Sequence, residues 1–158
     1  ANLNEPVQQV LAASHAIAEH ESVSDLVCSS LYSSSPMGPQ NQPDYVNAVA
    51  IFQSNLAPHA LLDLLQNIEQ QHGRVRKERW GPRTLDLDLL FYGQQQLNDD
   101  RLTVPHPGIL QREFVVGPLA ELRPYFILPN GATTKQHLST LDTRELQIIQ
   151  PSPYQTGF

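Results

Sequence analysis

Apolar positions recur at helical spacing in two stretches of the chain and alternate at strand spacing in several others. Val7, Val10, Leu11, Ala13, Ser14 and Ile17 keep a helical period, which predicts a helix opening at Asn4-Glu5-Pro6 and running to about His20. Asparagine can cap, and proline is tolerated in the first turn, where its missing donor costs nothing. Over 56–72 a second helix carries a stripe of Leu61, Leu62, Leu64, Leu65 and Ile68, with Pro58 near its start and Gly73 as a natural stop. Residues 23–34, rich in Val, Ser and Leu, read as a strand. So do residues 45–54, with Tyr45, Asn47, Val49 and Ile51 on one face and Val46, Ala48, Ala50 and Phe52 on the other. A third strand is expected over 84–92, ahead of a turn at Gly93. Residues 102–105 form a short extended piece running into His106-Pro107-Gly108, and 114–122 offers a strand or a helix. A turn at Pro129-Asn130-Gly131, a short helix over 134–141 and a last strand over 145–149 precede a tail, 151–158, expected to fray. Between the first two strands, 35–44 holds three prolines and one glycine and reads as a long loop. Strands interleaved with helices, several too closely spaced for parallel crossovers, predict a single α+β domain with a mostly antiparallel sheet.

Charge sharpens this picture. The net charge is −6, yet five of the ten Lys and Arg fall between Arg74 and Arg83 against Glu78 alone. That segment carries +4 and the remainder −10, which reads as one localised anion receptor on an acidic body. The balance argues against binding nucleic acid over the whole surface. A single cysteine, Cys28, can close no internal disulfide and build no zinc cage. No apolar run approaches bilayer length and no leader opens the chain, so a soluble, cytoplasmic domain is expected.

Two features could carry chemistry. In Thr-Leu-Asp-Leu-Asp-Leu-Leu, strand periodicity puts Asp86 and Asp88 on one face, about 6.5–7 Å apart along the backbone, with Leu85, Leu87 and Leu89 turned to the core. Two carboxylates so placed can hold hard cations and leave positions free for phosphates. A solvated polar face is the other reading; the strongly apolar flanks favour the metal. The second feature is the run Arg74-Val75-Arg76-Lys77-Glu78-Arg79-Trp80-Gly81-Pro82-Arg83, whose guanidinium forks suit a polyphosphate. It could equally be a solvated charge run, or an RNA patch with Trp80 stacking on a base. Its position directly before the paired aspartates favours a phosphoryl-transfer site. Gln66 and Glu69, three apart on one helix face, read alone as surface residues away from the deepest leucines. His106 either donates to a phosphate or decorates a turn. Tyr45 and Asn47 share a strand face, as a binding plate and amide or as a core tyrosine with a satisfied partner. No Gly-rich lysine loop and no kinase-type Gly-rich loop is present, and no hydrolase triad is legible.

Taken together, Ser-Pro-Met-Gly-Pro-Gln-Asn-Gln-Pro-Asp-Tyr-Val-Asn (35–47), Gly-Arg-Val-Arg (73–76), Arg-Trp-Gly-Pro-Arg-Thr-Leu-Asp-Leu-Asp (79–88), Leu-Thr-Val-Pro-His (102–106) and Arg-Glu-Phe (112–114) resemble the hydroxymethyl-dihydropterin pyrophosphokinases of folate synthesis. The resemblance implies a magnesium-dependent transfer of pyrophosphate from ATP to the pterin's hydroxymethyl oxygen, releasing AMP. It implies a monomeric ferredoxin-like sandwich with helices on both faces of its sheet, acting on small molecules, with no nucleic-acid or membrane partner. Asp86 and Asp88 would bind two magnesium ions. Arg74, Arg83 and His106 would contact phosphate, with Arg76 and Trp80 on a loop that closes for chemistry. Gln66, Glu69, Arg101, Thr103 and Arg112 would border the nucleotide. Tyr45 and Phe114 would sandwich the pterin and Asn47 would bond its edge, with Ser34 and Met37 completing that pocket.

The chain departs from the family pattern at Pro107, where tyrosine is frequent, and at Ser35, where a second proline is common. Its basic loop is one residue shorter before Arg79. The family also opens with a hydrophobic central strand ending in a Gly-x-Asn turn, whereas this sequence opens at Ala1-Asn2-Leu3, just inside that turn. The resemblance therefore implies a strand ahead of Ala1 in the intact protein.

Overall fold

A computed structural model describes residues 5–34, 44–72 and 85–153. It is an α+β arrangement in which every strand pairing is antiparallel. Helix α1 spans Pro6–Ala18, close to the predicted limits. Its expected cap, Asn4, lies outside the described residues; Glu5 occupies the capping position at φ 57° without a side-chain cap bond.

The two long strands expected from alternation are each divided. Residues 23–34 form β1 (Val23–Cys28) and β2 (Leu31–Ser34), and residues 45–54 form β3 (Tyr45–Asn47) and β4 (Ala50–Ser54). β1 pairs with β4, with a bulge between Ser24 and Val27 where Asp25 adopts φ 55°. β2 pairs instead with β3 and with β7 (Gln147–Gln150), in the order β3-β2-β7. The chain changes sheets at Ser29–Ser30, opposite Ala48–Val49. There Ser29 N donates to Val49 O at 2.8 Å and Val49 N donates to Ser29 Oγ at 2.9 Å. A serine hydroxyl thus replaces one ladder bond, which is why alternation alone did not reveal the break.

Helix α2 (Pro58–Gln71) starts at proline, as expected. The expected strand over 84–92 forms no ladder: among the described residues 85–92 joins no sheet, although His106 N donates to Leu90 O at 2.8 Å. It is instead tied to α2 at both ends. Leu87 N donates to Glu69 Oε2 at 2.6 Å near the end of the helix, and Tyr92 Oη donates to Leu56 O just before its start. The segment therefore runs antiparallel to α2 and in the same direction as β4.

The short strands β5 (Leu97–Asn98) and β6 (Thr103–Val104) form a hairpin. A cis Val104–Pro105 bond then leads through a 3₁₀ turn, Ile109–Gln111, to α3 (Glu113–Leu122). The expectation for 114–122 resolves as a helix. The short helix α4, Thr134–Leu138, opens on a capping box between Thr133 and Gln136. Of the expected tail, Ser152 donates its hydroxyl to Cys28 O; 154–158 lie outside the described residues.

The core has two main layers. Ile17, Val23, Leu26, Cys28, Leu65 and Ile68 form one, against Ala48, Ala50, Phe52, Leu87 and Leu89. Val49, Ile109, Val115, Val116, Leu119 and Leu128 form the other, against Ile51, Leu90 and Phe91. The face assignments read from alternation are those observed for 48–52, and for Leu87 and Leu89. Cys28 is buried, which pushes its thiol up to about 11, with the nearby Glu121 carboxyl adding to the shift. No helix among the described residues is long and apolar enough to cross a membrane.

Candidate active site

The extended segment 85–92 and strand β4 flank a cavity of about 770 Å³. Its walls include an unbroken run from each side, residues 47–54 and 86–93. Ile17, Leu61 and Leu65 close it from one layer, and Val115, Leu119 and Phe126 from the other. Asn47 and Asp86 stand where the two runs begin, with Asp88 two residues on; Arg112 and Phe114 also line the cavity, as do Gln53, Ser54 and Arg123.

Both aspartates are exposed, while Leu85 between them and the basic run is only 2% accessible. The period-two pattern produces this even without a ladder, because Leu87 is fixed by Glu69 and Leu87 and Leu89 pack into the core. Glu69 is itself 4% accessible, which corrects its reading as a surface residue. The signal was in the sequence: Glu69 follows Leu65 by four residues and Leu62 by seven, on the buried face of α2. A buried carboxyl needs donors, and the amide between the two aspartates is one of them. Gln66 is half-buried on the same helix and does not line the cavity.

Arg112 occupies the N-cap position of α3 without a side-chain cap bond, and its guanidinium carbon lies 5.8 Å from the centre of the Phe114 ring, a cation–π distance. Gly108 leaves room for it; a Cβ there would stand 2.9 Å from Arg112 Nε. His106 Nδ1 accepts the Gly108 N–H at 3.0 Å, so Nε2 carries the ring proton in the neutral form. Burial is the main effect holding the His106 pKa below its ordinary value; Asp88 pulls it up and Arg112 pushes it further down. His106 is thus within electrostatic reach of both groups, although it lines a neighbouring cavity of about 510 Å³.

Ser34 is buried on β2, and Asn47 Nδ2 donates to its Oγ at 3.5 Å. Tyr45 sits opposite Ser34 in the β2–β3 register and does not line the larger cavity. Arg101 and Thr103 stand apart in the β5–β6 hairpin. Arg101 Nη2 donates to Asp63 Oδ1 at 2.5 Å, and Thr103 Oγ1 donates to Asn98 Oδ1 at 3.1 Å. Met37, Arg74, Arg76, Trp80 and Arg83 lie outside the described residues.

Among the described residues no cluster of three or more His, Cys, Asp or Glu could cage a metal. Two exposed carboxylates on one edge fit magnesium, which keeps several waters and takes phosphate oxygens alongside one or two carboxylates. Asp86, Asp88 and Arg112, with Phe114 beside the guanidinium, are the residue types that a phosphoryl-group transferase needs.

Comparison with known proteins agrees. A sequence profile of the 7,8-dihydro-6-hydroxymethylpterin-pyrophosphokinase family matches residues 1–124. A 2-amino-4-hydroxy-6-hydroxymethyldihydropteridine pyrophosphokinase of Haemophilus influenzae is 52% identical over 130 residues, 82% of this chain and 81% of that protein. Its Pseudomonas aeruginosa counterpart is 51% identical over 130 residues, covering 82% and 80%. That of Methylorubrum extorquens is 33% identical over 149 residues, 94% of both chains. The chain belongs to the hydroxymethyldihydropterin pyrophosphokinase family.

Replacing Glu69 by alanine leaves the Leu87 N–H without its acceptor and is expected to cost about 1–3 kcal/mol. Glutamine, which keeps an acceptor oxygen, should lose less. Urea unfolding checks this: a lower midpoint for the alanine variant at unchanged slope is expected, and equal midpoints for wild type and alanine contradict the assignment.

Proposed function

We propose that this chain transfers pyrophosphate from ATP to the hydroxymethyl oxygen of 6-hydroxymethyl-7,8-dihydropterin, a step of folate biosynthesis, at the polar mouth of the cavity. The observation that carries this reading is that Asp86, Asp88, Asn47, Arg112 and Phe114 all line a single cavity. The hydroxymethyl oxygen forms a bond to the β-phosphorus of ATP, the bond to the α-phosphate oxygen breaks, and AMP leaves. Positioning and charge stabilisation supply the catalysis, with no covalent intermediate on the protein.

Two magnesium ions held by Asp86 and Asp88 would neutralise phosphate charge where it builds up. Arg112, poised over Phe114, offers its guanidinium to the nucleotide. His106 presents Nε2–H to phosphate as a neutral donor, consistent with its lowered pKa. Asn47 bonds the pterin edge while Phe114 and Tyr45 hold its faces, with Ser34 and Met37 completing the pocket. Arg74 and Arg83 grip phosphate, and Arg76 and Trp80 close over the nucleotide. Gln66 and Glu69 act from α2, Glu69 through the Leu87 amide. Arg101 and Thr103 reach the nucleotide from the β5–β6 hairpin. The enzyme works as a monomer in the cytoplasm.

The apolar part of the cavity belongs to the fold. The run lining it on each side is one edge of an extended backbone, and both edges point the same way. A strand joined through α1 to β1 runs parallel to β1 and hence antiparallel to β4. It would end near the start of β4, on the side of the sheet where α1, which follows it, touches β3. Packed between two apolar layers, it must be apolar at successive positions. Such a strand ahead of α1 completes a four-stranded ferredoxin-like sheet and leaves only the polar mouth open.

Asp86→Ala and Asp88→Ala are each expected to cut AMP formation by about 10²-fold or more with the fold intact. The assay is AMP release with ATP, magnesium and the reduced pterin, each omitted in turn. Near-normal turnover in either variant contradicts the metal role, and salt-sensitive RNA binding without AMP would favour an RNA-binding module instead. For the strand, amide exchange in the intact protein should be slow along both edges of β4 and over 87–91. Fast exchange of the amides facing the cavity contradicts it.

A further inference from the structure

Glu121, near the end of α3, has no part in the chemistry above, yet it holds three hydrogen bonds across the point where the chain changes sheets. Ser30 N and Ser30 Oγ donate to its Oε2 at 2.8 and 3.1 Å, and Tyr32 Oη donates to its Oε1 at 2.6 Å. Tyr32 is 8% accessible, and in the β2–β3 ladder it lies directly opposite Asn47. The first turn of the same helix carries Phe114, and Arg112 occupies its N-cap position. One carboxyl therefore connects the helix bearing the aromatic wall to the strand pair bearing the amide wall.

We propose that Glu121 is a positioning residue for the pterin subsite, fixing the separation between Asn47 on β3 and Phe114 on α3. The inference rests on the reading of Asn47 and Phe114 as pterin contacts. Its physical basis is that the two walls share no strand ladder. β2 leaves the β1–β4 sheet at Ser29–Ser30, so the placement of the β2–β3 pair is set by contacts from outside that sheet: α1 touches β3, and Glu121 ties β2 to α3. Three bonds to one carboxyl, two of them from the residue at the crossing, fix that tie. Ser29 secures the same crossing within the sheet through Val49, whereas Glu121 sets its distance from the helix.

The test measures KM for pterin, KM for ATP and kcat in Glu121→Ala, Glu121→Gln and Tyr32→Phe. Alanine is expected to raise the pterin KM about tenfold or more while the ATP KM and kcat stay within about threefold. Glutamine should restore most of the loss, because its amide oxygen still accepts from Ser30 and its amide nitrogen can donate to the Tyr32 oxygen. Tyr32→Phe keeps the ring and removes one bond, so it should raise the pterin KM by a smaller factor; it carries the test if the alanine variant does not fold. Equal rises in both KM values, or no rise in folded Glu121→Ala or Tyr32→Phe, overturn the proposal. Asn47→Ala and Phe114→Ala separate the two levels of inference. If they raise the pterin KM and the Glu121 and Tyr32 variants do not, the positioning role fails alone; if they too leave it unchanged, the pterin reading fails.

Discussion

The arrangement depends on a carboxyl placed where a helix would ordinarily bury a leucine. Glu69 faces inward from α2 and takes the Leu87 amide. That bond fixes a backbone unit whose two neighbours are Asp86 and Asp88. With Leu85 and Leu87 turned to the core, both aspartates have only the outer side available, and they share it with the cavity mouth. A buried carboxyl without a donor would be costly, and an extended segment without a ladder would leave amides unpaired. Each remedies the other's deficit, so one bond contributes both to stability and to the aim of the functional groups.

The same logic of substituted bonds recurs along the site. Ser29 supplies a hydroxyl where the ladder breaks, letting β2 and β3 leave the main sheet with Ser34, Tyr45 and Asn47. Gly108 donates its amide to His106 and leaves space beside Arg112, which lies over Phe114. These candidate site residues thus stand on short elements whose backbone bonds are completed by side chains. Two carboxylates and a guanidinium line the cavity, and His106, its pKa lowered chiefly by burial, lies within electrostatic reach of Asp88 and Arg112. The proposed magnesium-bound triphosphate would complement that distribution.

Much of this was legible in the sequence where periodicity is long and one-sided. The leucines of α2 gave a helix within two residues of the observed limits, and alternation in 45–54 assigned Val49 and Ile51 to one layer and Ala50 and Phe52 to the other. The paired aspartates were legible because period two survives in an extended chain whether or not it is laddered. The two strand breaks were not, since Ser29 and Ala48 fit a strand locally and only the contact between them reveals the switch. Glu69 was misjudged because polarity outweighed its position on the leucine face. Arg101 and Thr103, named through the family pattern, lie in the β5–β6 hairpin, where Arg101 donates to Asp63 and Thr103 to Asn98.

The central claim is that the two aspartates and the cavity mouth together receive metal-bound triphosphate. Manganese substituted for magnesium, in crystals of the protein with a non-hydrolysable ATP analogue and the pterin, tests it most directly through anomalous scattering. The account predicts metal peaks within coordination distance of Asp86 and Asp88, bridged to phosphate oxygens, with the pterin ring beside Phe114. Nucleotide bound elsewhere, with no metal at the aspartates, would contradict it.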